Sequence, residues 1–479
     1  MKTCPYCNQP IEADWSYCHF CNKPLIVNIE NRKFNRTIKQ KSDRNDIYDI
    51  YRSDLIIDEK NYHFNEIKDD QIDQEIKRID NILDQKEFVE EPIGSLLLEK
   101  SSLYYQKRDF STALKILENA LNNFIEENDI LNVAISHNKM GLIHEDLGFF
   151  DDALYHFNRA IETLKNLNET QKLIQVYNNI ANIYFLLNNL EYCFKYYNKA
   201  LKLAEKDNLI LEEIKISSNL VDVLFLLKNY NKAHKILNRN LEYFRQTEDI
   251  YGVIISLIKL GKLNYHLGFD NYSYSHKYLI DALDLINKLE IPNPIFIKEQ
   301  LQWECFLYLG KLNLLWNNYI EAEDYLLKSL EAIRTFKIKE SLNEANILKN
   351  LAKLYEIKGK YKTAIEYYNL SGEIYYKYGE DFEVAKLKKK IAQNYLGNIK
   401  NESDAINFYL EALEIFEDLN YVKESAEILH KLGDIYVNLG IIELALSNWT
   451  KAKKIYKDLL DEYNLNLVNE KIKSLIDSN

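Results

Sequence analysis

The chain has 479 residues with a net charge of −12, 28% charged and 47% hydrophobic side chains, too long for one compact core and therefore multi-domain or modular. Only 13 Gly and 6 Pro occur, far below the roughly 7% and 5% of average proteins, which excludes turn-rich all-β, collagen-like and Pro/Gly-linker architectures. The acidic balance argues against nonspecific attraction to polyanions. Pro5, Pro10 and Pro24 crowd the start and all glycines lie from Gly94 onward, so a small turn-containing head precedes a long helical body.

Residues 1–27 form the head. Cys4 and Cys7 make one C-x2-C pair, Cys18 and Cys21 a second, and the surroundings match: Cys-Pro-Tyr-Cys-Asn-Gln-Pro-Ile against Cys-His-Phe-Cys-Asn-Lys-Pro-Leu. Two-residue spacing lets a tight turn aim both sulfurs at one tetrahedral Zn²⁺. The head resembles the small zinc ribbons, with Asn8 and Asn22 where a Gly commonly follows each knuckle. Four thiolates leave no open coordination position, so one structural Zn²⁺ is expected, and metal binding must supply the folding energy of so short a domain. Trp15, Tyr6, Tyr17 and Phe20 form either its minimal core or an exposed contact face.

Residues 28–65 read as a flexible linker. Its start is basic, with six cations against one acid from Arg32 to Arg44, while Asp54 to Glu91 carries thirteen acids against five bases. Within 66–91, Ile72, Ile76, Ile79 and Leu83 share one helical face that caps the next element or zips to a copy of itself. The sequence shows no secretory h-region and no apolar run long enough for a membrane, so a cytoplasmic, reducing location is expected.

From 92 to 460 small residues recur with a period near 40. Ala113, Ala153, Cys193 and Ala233 form one series, and Ala120, Ala160, Ala200 and Asn240 another, seven residues on along a helix. The pairs Ala322/Ser329, Ala364/Ser371, Ala405/Ala412 and Ala445/Ala452 continue it after a disturbed fifth unit. Twelve residues earlier stands Gly141, Ala181, Gly261, Gly310, Ala352 or Gly433; in the eighth unit Ala392 lies thirteen before Ala405. Gly148, Asn188, Gly268, Asn317, Gly359 and Gly440 suit left-handed helix ends between the two helices. Aromatics Phe157, Tyr197, Tyr368, Tyr409 and Trp449 follow the first small residue of the second helix by four. Cys193 and Cys305 read as packing residues.

Leu432-Gly433-Asp434-Ile435-Tyr436, then Gly440, Ala445, Trp449 and Ala452, resembles the tetratricopeptide repeat, in a long form similar to kinesin light chains and spindle-orientation adaptors. The resemblance implies an all-α, right-handed superhelical solenoid of about nine helix–turn–helix units, closed by a capping helix within 461–479. It also implies a concave groove for protein or peptide segments. In that family an Asn-Leu-Gly-Asn pattern offers side-chain amides to a bound backbone. Asn179-Ile180-Ala181-Asn182 matches it best, Asn219-Leu220-Val221-Asp222 nearly, and Asn350-Leu351-Ala352-Lys353 in part. On the same face, Asn138 and Asn178 lie at the N-terminal end, and Lys349, Lys353, Lys386, Lys389 and Lys390 cluster toward the C-terminal end. They mark either a basic end that receives an acidic segment or a solvated lysine run. No catalytic motif occurs. The reading is a non-enzymatic interaction scaffold with the ribbon as accessory contact; the alternative is a nucleic-acid-associated regulator using the ribbon and Arg32–Arg44.

Overall fold

A computed structural model describes residues 2–3, 10–11, 69–84, 92–289, 294–335 and 341–478. The chain divides into two units, Met1–Tyr51 and Arg52–Asn479. In the first, β1 (Lys2–Thr3) pairs antiparallel with β2 (Pro10–Ile11), Lys2 opposite Ile11 and Thr3 opposite Pro10. The four cysteines of the head, and the linker 28–65, lie outside the described residues.

The second unit holds twenty α-helices among its described residues. They are α1 (Asp69–Asp84), α2 (Ile93–Gln106), α3 (Phe110–Glu126), α4 (Ile130–Asp146), α5 (Phe150–Leu164), α6 (Thr170–Leu186), α7 (Leu190–Lys206), α8 (Ile210–Leu226), α9 (Tyr230–Gln246) and α10 (Ile250–Leu267). Then come α11 (Tyr272–Lys288), α12 (Pro294–Leu315), α13 (Tyr319–Thr335), α14 (Leu342–Ile357), α15 (Tyr361–Lys377), α16 (Asp381–Asn394), α17 (Glu402–Asp418), α18 (Val422–Asn438), α19 (Ile442–Asp458) and α20 (Glu462–Ser478). The count exceeds the eighteen helices of nine pairs because α1 precedes the array and α20 follows it.

The period near 40 has a local cause. Most helices are 17 residues long, and a three-residue connection follows, so a new helix begins about every twenty residues. At the α4–α5 turn, Gly148 adopts φ 77° and donates its N–H to the Glu145 carbonyl at 2.9 Å, while Phe149 N–H reaches the His144 carbonyl at 2.8 Å. This paired closure satisfies carbonyls the helix end would leave orphaned. Asn188, Gly268, Asn317, Gly359 and Gly440 also take positive φ, as the sequence predicts. At several turns the residue after the left-handed one caps the following helix. Asp129 Oδ1 accepts from Asn132 N–H at 3.0 Å, and Asp249 Oδ1 from Gly252 N–H at 2.9 Å. Turns between pairs use the same device at Asn128, Asn208, Glu248, Asn420 and Leu460. A shared turn type makes both connections equally short and fixes the double-length period.

Two irregularities in spacing have structural counterparts. After Gly268 a 3₁₀ turn, Phe269–Asn271, absorbs the extra residues of the fifth unit. In the eighth, a π-turn at Tyr395–Ile399 takes up the one-residue surplus between Ala392 and Ala405.

Each pair closes on small residues of its first helix. A Cβ at Gly141 would sit 2.5 Å from the Phe157 ring, and one at Gly310 would sit 2.7 Å from Leu326; at Gly433 it would collide with the Trp449 indole. Ala113, Ala153, Cys193, Ala233, Ala322, Ala364, Ala405 and Ala445 are all fully buried. Each helix packs on its neighbours in sequence, and first helices also touch one another (α4 with α6, α6 with α8, α10 with α12, α12 with α14). The first helices thus line up as one closely spaced layer. At the ends, α1 buries Ile72, Ile76 and Ile79, and α20 buries Val468. The outer side of α20 is polar, with Glu470, Lys473, Ser474 and Asp477 together.

Candidate partner-binding face

The layer of first helices carries a ladder of polar links, each joining one repeat to the next at a separation close to the period. In the second to fourth repeats the rungs are amides. Asn179 Nδ2 donates to Asn138 Oδ1 at 3.0 Å, and Asn219 Nδ2 to Asn178 Oδ1 at 3.1 Å. Among the described residues these four side chains make no other hydrogen bond, so each pair retains one whole amide NH2 group and one amide oxygen that are unused. Asn138, Asn178 and Asn179 are half-buried and Asn219 is buried. None of the four has a fully buried side-chain atom left unpartnered.

Beyond the amides the rungs are ionic. Asp222 pairs with Lys259 at 2.7 Å and Lys262 with Glu304 at 2.9 Å. Lys349 meets Glu383 at 3.1 Å, Lys389 meets Glu427 at 2.5 Å, and Lys390 lies 4.0 Å from Glu356. Lys471 of α20 continues the series, 2.6 Å from Asp434 and 2.8 Å from His430 Nε2. Its separations from these partners repeat those of Lys259 from Asp222 and the Ser218 carbonyl. By side-chain register, α20 therefore stands where the first helix of another repeat would stand.

The residues singled out from sequence separate into three groups. Asn138, Asn178, Asn179 and Asn219 come together on the shared face. Asn182 does not join them: it is buried, and its Oδ1 accepts from the Tyr197 hydroxyl at 2.5 Å within its own repeat. Asn350 also turns away, its amide donating to the Asn346 carbonyl at 2.7 Å one turn back on α14. Of the lysines, Lys349, Lys389 and Lys390 face carboxylates of adjacent repeats, and Lys386 pairs with Glu383 on its own helix at 2.7 Å. Lys353 is exposed and has no carboxylate partner among the described residues. The lysine cluster is thus counter-charged over most of its length.

Two features were not legible as site residues. Lys311 on α12 is half-buried with no carboxylate within 4.0 Å among the described residues; its ammonium lies over the Tyr308 ring at 4.6 Å and the Tyr265 ring at 5.9 Å. Burial, with Lys262 and Lys349 nearby, pulls its pKa down to about 7. In the second repeat, His137 Nδ1 lies 3.1 Å from His156 Nδ1, and the His144 ring stacks on His156 at 5.3 Å. Burial lowers His137 to about 4 and His156 to about 3, and depresses His144 as well. No three His, Cys, Asp or Glu side chains among the described residues are placed to hold a metal ion. Cys193 and Cys305 are free and buried; burial pushes the Cys193 thiol up to about 12 and raises Cys305 further from reactivity. No described helix is long and apolar enough to cross a membrane.

Residues 307–377 and 174–207 match tetratricopeptide-repeat family models, so the chain carries tetratricopeptide repeats. Among curated proteins none matches the sequence. Similar solved structures include BtubC (BKLC) from P. vanneervenii, at 18% identity over 47% of this chain and 89% of that one, TM-score 0.39. A signal-transduction ATPase with numerous domains and a tetratricopeptide-repeat sensor, from Pyrococcus horikoshii, is 17% identical over 76% of this chain and 54% of that one, TM-score 0.45. The apo quorum sensor NprR from B. thuringiensis is 15% identical over 88% and 99%, TM-score 0.45.

Proposed function

We propose that this chain is a non-enzymatic interaction scaffold whose layer of first helices forms a concave groove for an extended segment of a partner protein. The observation that carries this reading is the amide ladder. The members of each pair, Asn138–Asn179 and Asn178–Asn219, hold one another in place and still leave one NH2 group and one oxygen per pair unused. A peptide backbone needs this complement, and amides already fixed by a neighbour lose little rotamer freedom on binding it.

The four cysteines of the head would hold one structural Zn²⁺; the strand pair that brackets Cys4 and Cys7 supports a knuckle there. The ribbon on its tether would give a second contact that raises avidity through effective concentration. Metal analysis should return one zinc per chain and none after Cys4→Ser with Cys18→Ser.

The test of the groove is affinity capture of the intact chain from its own cells, with and without nuclease. A defined protein set should survive nuclease and be lost from the Asn179→Ala variant. Material released by nuclease would instead assign the contact to the ribbon and the Arg32–Arg44 segment. Capture unchanged by Asn179→Ala would remove the amide face from the account.

A further inference from the structure

We infer that Lys311 is the anchor for an acidic side chain of the bound segment, a subsite between the fifth, sixth and seventh repeats. The inference rests on the groove reading above and deepens it by stating what the partner must carry.

Lys262, Lys311 and Lys349 sit on three successive first helices, α10, α12 and α14. The carboxylates among them are Glu304 and Glu383, and each is already bonded to a lysine, Glu304 to Lys262 and Glu383 to Lys349. Glu383 also takes Lys386. Of the three lysines, only Lys311 has no carboxylate of its own within 4.0 Å among the described residues. Burying a cation without a counter-charge is unfavourable, and the Tyr308 and Tyr265 rings compensate only in part. Lys353, also unpaired, shows the contrast: it is exposed, and water solvates it. Lys311 is withdrawn from water and remains unpaired.

A single carboxylate placed here would answer the charge on Lys311. It would lie beside Tyr308, whose hydroxyl is 3.3 Å from His266 Nε2, and near Tyr265, which meets Tyr308 edge-on at 5.3 Å between ring centroids. These rings give the chain flanking the acid an amphipathic wall. The low pKa of Lys311 is consistent with the same arrangement, since a bound carboxylate would restore the charged form.

The experiment measures binding of fluorescein-labelled oligoglutamate and oligoglutamine of equal length to the full chain by anisotropy. Oligoglutamate should bind and oligoglutamine should not. Lys311→Met should weaken oligoglutamate binding about tenfold or more, as loss of a desolvated charge partner does, and Lys353→Met less than about twofold, as expected for an exposed charge. A second readout needs no variant: oligoglutamate should protect Lys311 from acetic anhydride in peptide mapping of the wild-type chain. Equal binding of the two peptides, unchanged binding by Lys311→Met, or no protection of Lys311 would overturn the inference. The groove reading fails separately: cellular capture kept by Lys311→Met but lost by Asn179→Ala ends only the acidic-anchor inference, and the reverse ends the amide reading.

Discussion

The first helices of the second to fourth repeats and those of the seventh to ninth occupy equivalent places in the array yet join their neighbours by different chemistry. At the N-terminal end the rungs are neutral amides, Asn138–Asn179 and Asn178–Asn219. At the C-terminal end they are lysine–carboxylate pairs, Lys349–Glu383, Lys389–Glu427 and Lys471–Asp434. The difference decides what each end can still do. An amide carries two N–H donors and an oxygen acceptor, so a pair joined by a single bond keeps one NH2 group and one oxygen wholly unused. An ammonium matched to a carboxylate has its charge already answered, and binding there must first compete with the pair. The C-terminal ladder thus fastens the repeats and the capping helix, while the N-terminal ladder is also free to engage a backbone. Lys311 lies between the two, where an ionic rung lacks its second half.

The largest effect should be one that ignores the contrast, because both ends share the same pair packing. Gly141→Ala forces a Cβ into Phe157, and Gly433→Ala forces one into Trp449. Each should destabilise its region by about 1–3 kcal/mol, the usual range for overpacking, read as lost protection in hydrogen exchange of the local helices. An effect confined to one end would show that the two regions differ in packing as well as in polar links.

A pH effect should follow, and on the N-terminal side. His137 and His156 have folded pKa values of about 4 and 3, below the ordinary 6.5. Between these limits the unfolded chain binds more protons than the folded one, so stability is lost as pH falls from about 6.5. The groups that act on the trio are Arg159 and Glu162 at His137, and Asp152 and Glu118 at His144. Protection of α4 and α5 should drop between neutral pH and pH ~4, and His156→Phe should flatten that dependence.

Smaller again is the loss of one amide rung. Asn219→Ala should cost about 1 kcal/mol, the net value of a typical hydrogen bond, with no dependence on salt. The smallest effect should be the response of the ionic rungs to salt. Raising salt to about 1 M should weaken α14, α16 and α18 by a few tenths of a kcal/mol each and leave α4 and α6 unchanged. Equal salt response at both ends would erase the comparison.

Much of this architecture was legible in the sequence because it is carried by local rules repeated many times. The recurrence of Gly141 and Gly433 twelve residues before the small residues of the second helix marks the paired helices, and the left-handed turns at Asn188 and Gly440 follow from residue type. Turns at Lys228 and Arg108 did not announce themselves, since a short connection imposed positive φ on residues that do not favour it. The site was harder to read. A helical-face argument brings Asn179 and Lys349 to one surface, but it cannot show that Asn138 or Glu383 on the adjacent repeat already claims them. The signal existed in the near-period separations of Lys349 from Glu383 and of Lys389 from Glu427. Asn182 was misdirected by a motif match, because only the packed pair reveals the Tyr197 hydroxyl that takes its oxygen. Lys311 belongs to no run of lysines, and its distinction is a missing partner.

The most direct test of the account places a photocrosslinking residue at one of two exposed positions in the third repeat. Gln175 is on α6, one turn before Asn179, and Lys202 is on α7, the second helix of the same pair. With the protein set captured in nuclease-treated extract, the probe at Gln175 should crosslink to a partner segment and the probe at Lys202 should not. Crosslinking from Lys202 alone would place the partner on the other layer and contradict the central claim that the first helices form the binding face.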